Sequence, residues 1–329
     1  MKKLHGHDAP VTAFLDAVHS QRMHHAWLLA GPKGVGKATF AALAARRLLA
    51  EAAGPPVAGR GLDVADDHPI ASLLEAGSHP DFKILARLPK PNSDELARSI
   101  SVDQMRGLQP LFATTPSLSR ARVVVIDAGD DMERSAANAL LKNLEEPPSG
   151  TIFLMVSHAP GSLLPTIRSR CRLLRFGPLE DDDVRAVLRD ALPEADDDEI
   201  ASLTRIADGV PGDAIRFAGL DIAGLDAAIE QLVVHGDPSN ALRSTLGRML
   251  ATKAARARYE AFLERAPSRI AVAARGRTGA QLGDAVTLWR CARDIADRAV
   301  RQSADPQTTV FEIAGLVAKL APIDVSVKA

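Results

Sequence analysis

The sequence predicts an α/β protein with a parallel, doubly wound sheet in its first part and an all-helical C-terminal part. Three observations carry this. Apolar runs rich in β-branched residues, such as "RVVVID" (122–127) and "TIFLMVS" (151–157), alternate with helical segments as far as residue 177, the pattern of a buried parallel sheet. A glycine-rich loop, "GPKGVGK" (31–37), stands between the apolar run "HAWLLA" and an alanine-rich helical stretch. That is the strand, loop and helix order that a phosphate-binding loop requires. From residue 222 onward only helical periodicity remains.

Size and composition bound the rest. A chain of 329 residues exceeds one typical core, so several domains are expected. The composition shifts divide it into 1–177, 178–221 and 222–329. Forty basic against 41 acidic side chains leave a net charge of −1, which speaks against a stand-alone nucleic-acid binder with a globally basic surface. Two cysteines, Cys171 and Cys291, exclude a disulfide framework and a four-cysteine zinc site, and fit a reducing cytoplasm. The start, "MKKLHGHDAPV", lacks the apolar core of a signal peptide, and no apolar run reaches the ~18–20 residues of a membrane span. A cytoplasmic protein without membrane partners is expected.

The elements follow in order. Residues 11–21 read as a short helix, "HAWLLAG" as the first strand, and 38–53 as a helix stopped by "GPP". Residues 54–70 form a Gly/Pro/Asp loop. "DFKILARL" reads as a strand and "PKPNSDE" as a second polar loop. Ser101 and Gln104 have the spacing of a capping box, so a helix follows. "RVVVID" ends in Asp127, at the carboxyl edge where ligands sit in open α/β sheets. In "SAANALLKNLEEPP", Ala137, Leu140, Leu141 and Leu144 form one apolar face, and Pro147–Pro148 ends the helix. "TIFLMVS" is another buried strand, and "LLPTIRSRCRLLRF" gives a helical turn, a basic loop and a last strand. Residues 180–219 supply short amphipathic helices with the turn "DGVPGDA". In the C-terminal part, Leu282, Val286, Trp289 and Ala296 share one stripe, and Val310, Ile313, Val317 and Leu320 another. Asp305 and Pro306 make a cap and first turn for the final helix. The last residues, "IDVSVKA", are expected to fray.

The glycine loop is incomplete. The pattern G-x-x-x-x-G-K-[ST] uses backbone N–H groups and a lysine to cradle phosphates, and its final hydroxyl to hold Mg²⁺. Gly31, Gly36 and Lys37 are in place, but the last position is Ala38, and a methyl group ligates no metal. Thr39 lies about 100° further round the helix and is expected to point elsewhere.

"HAWLLAGPKGVGK", "SHPDF", "IDAGDDMERSAANALLKNLEEPP", "TIRSRC" and "GVPGDA" occur here in the order seen in bacterial clamp-loader proteins. The chain resembles the clamp-loader family of DNA polymerase III, within the AAA+ superfamily, densely over residues 1 to about 220. The resemblance implies an AAA+ sheet domain with a degenerate nucleotide site, a helical lid and a helical oligomerisation collar. It implies a function too: helping ATPase (gamma/tau) subunits and a delta subunit to load a sliding clamp onto primed DNA.

It also assigns residues. Arg170, in Ser169-Arg170-Cys171, matches the arginine that enters a neighbour's ATP site. A guanidinium presented in trans stabilises charge developing on the γ-phosphate; the plainer reading is a solvated loop arginine between Arg168 and Arg172. Active relatives end the acidic strand in Asp-Glu, the glutamate serving as base, whereas Asp127 is followed by Ala128. Their lid arginine falls at Gly212. Metal ligand, base and sensor are thus all absent, which implies no hydrolysis. Gly31, Gly34, Gly36, Lys37 and Asp127 survive, leaving weak or vestigial binding of ATP or ADP, with no cofactor required. Lys37 reads equally as a phosphate ligand and as a solvated lysine at a helix start. Asp130 and Asp131 lie beyond the strand edge and make poor substitutes for the base. Ser157, at the polar first-sensor position, reads as a strand-end hydrogen-bonding residue. No zinc is expected, since His68 and His79 are the only soft ligands where relatives carry a four-cysteine module. No other metal site is read. The competing functional reading, an active AAA+ ATPase, needs the three groups that are missing.

Overall fold

The computed structural model describes residues 3–20, 23–54, 57, 61–90, 95–302 and 304–321. Residues 55–56, 58–60 and 91–94 of the two polar loops, and the C-terminal "IDVSVKA", lie outside the described residues. Two compact units are present, Met1–Ile215 and Arg216–Ala329.

The first unit contains strands β1 (Ala26–Ala30), β2 (Phe82–Ala86), β3 (Arg122–Asp127), β4 (Thr151–Ser157) and β5 (Arg172–Arg175). They form one parallel sheet in the order β2-β3-β4-β1-β5. Every residue of β1 is buried, as are Arg122–Ile126 of β3. This is why both read as unbroken apolar runs rather than alternating ones. The edge strands differ: β2 exposes Lys83 and Ile84, and β5 exposes Arg172, Leu173 and Arg175. Charges on an edge hinder pairing with foreign strands.

Helices α1 (Asp8–His19), α2 (Lys37–Ala53), α3 (Pro69–Glu75), α4 (Val102–Arg106), α5 (Gln109–Phe112), α6 (Arg134–Glu145) and α7 (Pro165–Arg168) accompany the sheet. The capping box forms at α4: Gln104 N–H donates to Ser101 Oγ, and Ser101 N–H donates to Gln104 Oε1 at 3.0 Å. Ala41, Ala44 and Ala45 of α2 are fully buried. The buried Arg46 guanidinium donates to the carbonyls of Val64 and Ala65 at 2.8 and 2.9 Å, tying the polar loop to this helix. His68 accepts the Ile70 N–H through Nδ1, and His79 accepts the Asp81 N–H in the same way. Each histidine thus serves its own turn.

Three helices follow the sheet: α8 (Asp181–Ala191), α9 (Asp197–Ala207) and α10 (Pro211–Phe217). Acidic residues crowd the first turns of α8 and α9, where they complement the positive end of the helix dipole.

The second unit is helical among the described residues, with α11 (Ile222–His235), α12 (Ala241–Leu250), α13 (Arg256–Arg275), α14 (Gly279–Gln302) and α15 (Pro306–Ala318). Asp305 accepts the Thr308 N–H at 2.8 Å as the N-cap of α15. Arginines of α13 meet acids at or in α11: Arg258 with Asp221, Arg265 with Asp226 and Arg269 with Glu230. One expectation is corrected here. Val310, Ile313, Val317 and Leu320 are buried as expected, but the inner face of α14 is Ala285, Ala292, Ala296 and Ala299. Leu282 is 39% exposed, and Val286 and Trp289 are half-buried. Alanines permit close approach to α13 and α15, whereas Leu282 and Val286 lie further round the helix and Trp289 stands at the edge of the alanine face. Cys291 is exposed on this helix, and Cys171 is largely enclosed beside the sheet core.

Candidate functional site

The site lies where the parallel strands present their carboxyl ends. Ala30 pairs with Ser157 and Ala86 with Asp127, so the glycine loop, Asp127 and the end of β4 converge. A Cβ on Gly31 would fall 2.1 Å from the Phe176 carbonyl oxygen; only glycine lets the loop leave β1 beside the chain that follows β5. Beyond it, Gly34 (φ +88°) and Gly36 (φ +113°) hold backbone conformations that other residues rarely adopt.

A cavity of about 680 Å³ opens at this edge. Gly34, Gly36, Lys37, Ala38 and Asp127 border it, so four of the five expected nucleotide-site residues are brought together; Gly31 is not among the lining residues. Thr39 borders it too, against expectation, because the cavity continues past the loop to the N-terminal segment Lys3–His5. An apolar wall comes from Leu4, Leu179, Val187 and Ile215. His5 and Asp190, bonded at 2.8 Å, also border the cavity.

Lys37 is not solvated. It is 2% exposed, and its ammonium donates to the carbonyls of Gly31, at 2.7 Å, and Pro32. The lysine is folded back on its own loop. Burial lowers its pKa to about 8, against the opposing pull of Asp130 and Asp127. The same burial raises the Asp127 carboxyl above its ordinary range, with Lys37 opposing. His158, on the cavity wall, is lowered by burial and then by Lys37. All three groups are pushed toward neutrality, so the floor of the site resists charge that arrives without a counter-ion.

Ala38 sits on the wall where a metal-binding hydroxyl would be. Ala128, at the position of the general base, is buried. The nearby Asp130 is engaged elsewhere. Its carboxylate accepts from Ser157 Oγ at 2.8 Å, from the His158 N–H, from the Ala159 N–H at 3.4 Å and from Ser162 Oγ at 3.3 Å. Ser157 is thus a strand-end hydrogen-bond donor, and Asp130 a fastener for the turn after β4. Asp131 meets the Arg87 guanidinium at 3.0 Å. At the third position, Gly212 donates its N–H to the Gly34 carbonyl at 3.0 Å, and a Cβ on Gly212 would lie 2.6 Å from Gly34 Cα. The loop and the start of α10 therefore meet backbone to backbone.

Arg170 is not part of this cavity. It lies between α7 and β5, where Nη2 pairs with Glu145 Oε1 at 2.8 Å and Nη1 donates to the Thr166 carbonyl at 2.9 Å. Arg168 and Arg172 beside it are exposed. Sequence reasoning overlooked His158, the His5–Asp190 pair and Glu145. Their participation depends on tertiary proximity, and no local pattern marks them. Among the described residues, no three His, Cys, Asp or Glu side chains gather closely enough to hold a metal ion, and no helix is long and apolar enough to cross a membrane.

Residues 6–180 match the family described as DNA polymerase III, delta subunit. DNA polymerase III subunit delta' of Pseudomonas aeruginosa is 37% identical over 196 residues, which cover 59% of this chain and 56% of that protein. Subunit delta' of Escherichia coli is 30% identical over 303 residues, covering 91% of this chain and 77% of that protein. Subunit gamma of Buchnera aphidicola is 30% identical over 220 residues, 66% of this chain and 56% of its own length. The matched segment thus spans little more than half of the Pseudomonas and Buchnera proteins.

Proposed function

The chain belongs to the DNA polymerase III, delta subunit family, and from that premise we propose that it is a delta-prime-type clamp-loader subunit that hydrolyses no ATP itself. The observation that carries this reading is the contact between Gly34 and Gly212. In the ATPases that the sequence resembles, the position of Gly212 holds an arginine that senses phosphate. Here a side chain at that position would collide with the phosphate loop. Ala38 and Ala128 support the same reading, since neither can hold a metal or take a proton from water.

What remains is a cavity with a retracted lysine. ATP or ADP binds there weakly and without turnover, and no metal or other cofactor is required. The contribution to catalysis lies elsewhere: Arg170 reaches the ATP site of a neighbouring gamma or tau subunit and stabilises the transferring phosphoryl group. The helices over 178–221 act as a lid and residues 222–329 as an oligomerisation collar. Through gamma/tau and delta subunits, the protein takes part in placing a sliding clamp on primed DNA in the cytoplasm.

Phosphate release distinguishes this reading from an active ATPase. The isolated protein should release none above a Lys37→Ala control, and addition of gamma/tau and delta subunits should give turnover. Mg²⁺-dependent release by the isolated chain would overturn it.

A further inference from the structure

Arg170 does not stand free at the surface. Both terminal nitrogens of its guanidinium are engaged within the chain, Nη2 by Glu145 Oε1 at 2.8 Å and Nη1 by the Thr166 carbonyl at 2.9 Å. Glu145 is the last residue of α6, and Thr166 lies one turn before Arg170. A guanidinium grips a phosphate through a planar fork whose two ends act together. In this conformation that fork already faces a carboxylate and a carbonyl. The side chains of Arg170 and Glu145 are 34% and 50% exposed, so the pair is neither locked in the interior nor fully dissolved in solvent.

We infer that Glu145 is a positioning residue that parks Arg170 against its own subunit, so that engagement of a neighbour's nucleotide requires this ion pair to open. The inference rests on the proposed trans role of Arg170. Glu145 touches neither nucleotide nor reacting atoms; it sets the fraction of arginines free to swing out. An exposed pair of this kind favours the closed form by a small factor, roughly two- to fivefold. Release therefore needs no large conformational change. The γ-phosphate of a bound ATP competes with Glu145 for the guanidinium and draws it out for part of the time, whereas an empty or ADP-bound neighbour leaves the arginine parked. The device makes the trans contact conditional on the neighbour's nucleotide.

The test uses the full-length chain carrying Glu145→Gln, Glu145→Asp, Arg170→Ala, or Glu145→Gln with Arg170→Ala, alone and reconstituted with gamma/tau and delta subunits. In the isolated chain, the guanidinium nitrogen resonances of Arg170 should report hindered Cζ–Nη rotation in wild type. Rotation should be freed in Glu145→Gln, and its hindrance partly restored in Glu145→Asp. In the complex, the portion of ATP hydrolysis that Arg170→Ala removes should grow roughly two- to fivefold in Glu145→Gln. The double variant should match Arg170→Ala alone. If Arg170→Ala lowers hydrolysis but Glu145→Gln leaves that portion unchanged or reduces it, the parking role is wrong and the trans role stands. Should Arg170→Ala change nothing, the trans role fails and the inference fails with it. Equal Arg170 mobility in wild type and Glu145→Gln would overturn the inference whatever the rates.

Discussion

Gly212 donates its backbone N–H to the carbonyl of Gly34 at 3.0 Å, with Gly34 Cα lying only 2.6 Å from where a Cβ on residue 212 would be. Two glycines far apart in the chain thereby join the phosphate loop to the first turn of α10. A methyl group cannot enter without backbone movement, and overpacking of this kind costs about 1–3 kcal/mol. Gly212→Ala should lower the stability of the sheet-containing unit by that amount in denaturant unfolding. Gly212→Arg should be no better tolerated and should confer no hydrolysis. An unchanged unfolding midpoint for Gly212→Ala would mean that the contact opens freely.

Restoring the metal ligand alone should restore nothing. Ala38→Thr returns the hydroxyl to the cavity wall, yet Ala128 and Gly212 still leave no base and no sensor. The expected result is phosphate release by Ala38→Thr indistinguishable from the Lys37→Ala control. Turnover in this single variant would show that another group, such as Asp131, activates water.

Arg170→Ala should leave folding and assembly intact, because Glu145 and Thr166 are both partners that solvent can replace. In the reconstituted loader it should depress ATP hydrolysis in part and coupled clamp loading more strongly, since one interface among several is affected. In the proposed trans role the contact would strengthen as charge builds on the phosphoryl group, so the effect should fall on the rate more than on nucleotide affinity. Arg170→Lys should rescue poorly, as an ammonium does not reproduce the planar fork. Gel filtration checks assembly; equal rates for all three proteins would return Arg170 to the status of a surface residue.

Lys37 gives a pH signature. Its pKa is about 8 when folded and near 10.5 when solvated. Between these values the unfolded chain holds a proton that the folded chain has released, so stability rises with pH through this window. Relative to Lys37→Met, wild type should gain up to about 2 kcal/mol between pH 7 and 9.5, taking ~1.4 kcal/mol per pKa unit. Chemical denaturation of both proteins at the two pH values measures the difference. Parallel behaviour would mean that the folded lysine keeps its ordinary pKa.

The sheet was legible because its strands are buried on both faces, so β1, β3 and β4 appear as apolar runs that no surface helix would carry. Asp127, Ala128 and the incomplete loop were legible for a related reason: a strand end and a glycine turn fix their register. The inner face of α14 was not. Hydrophobic periodicity gives weight to Leu282 and Trp289, whereas close helix packing selects the small Ala285, Ala292, Ala296 and Ala299. Retraction of Lys37 onto Gly31 and Pro32, the four donors around Asp130 and the Glu145–Arg170 pair were equally hidden. Each depends on groups that only the folded chain brings within bonding distance.

The two cysteines differ in a way that makes the protein its own reporter. Burial pushes the Cys171 thiol up to about 12, leaving almost no thiolate at neutral pH, while Cys291 is exposed on α14. Thiolate, not thiol, attacks an alkylating dye. A maleimide fluorophore at pH 7 should therefore attach once per chain, at Cys291, without any engineered substitution. Intact mass should show a single adduct in wild type and none in Cys291→Ser. The label would sit on the helical unit, so assembly with other subunits could be followed by anisotropy.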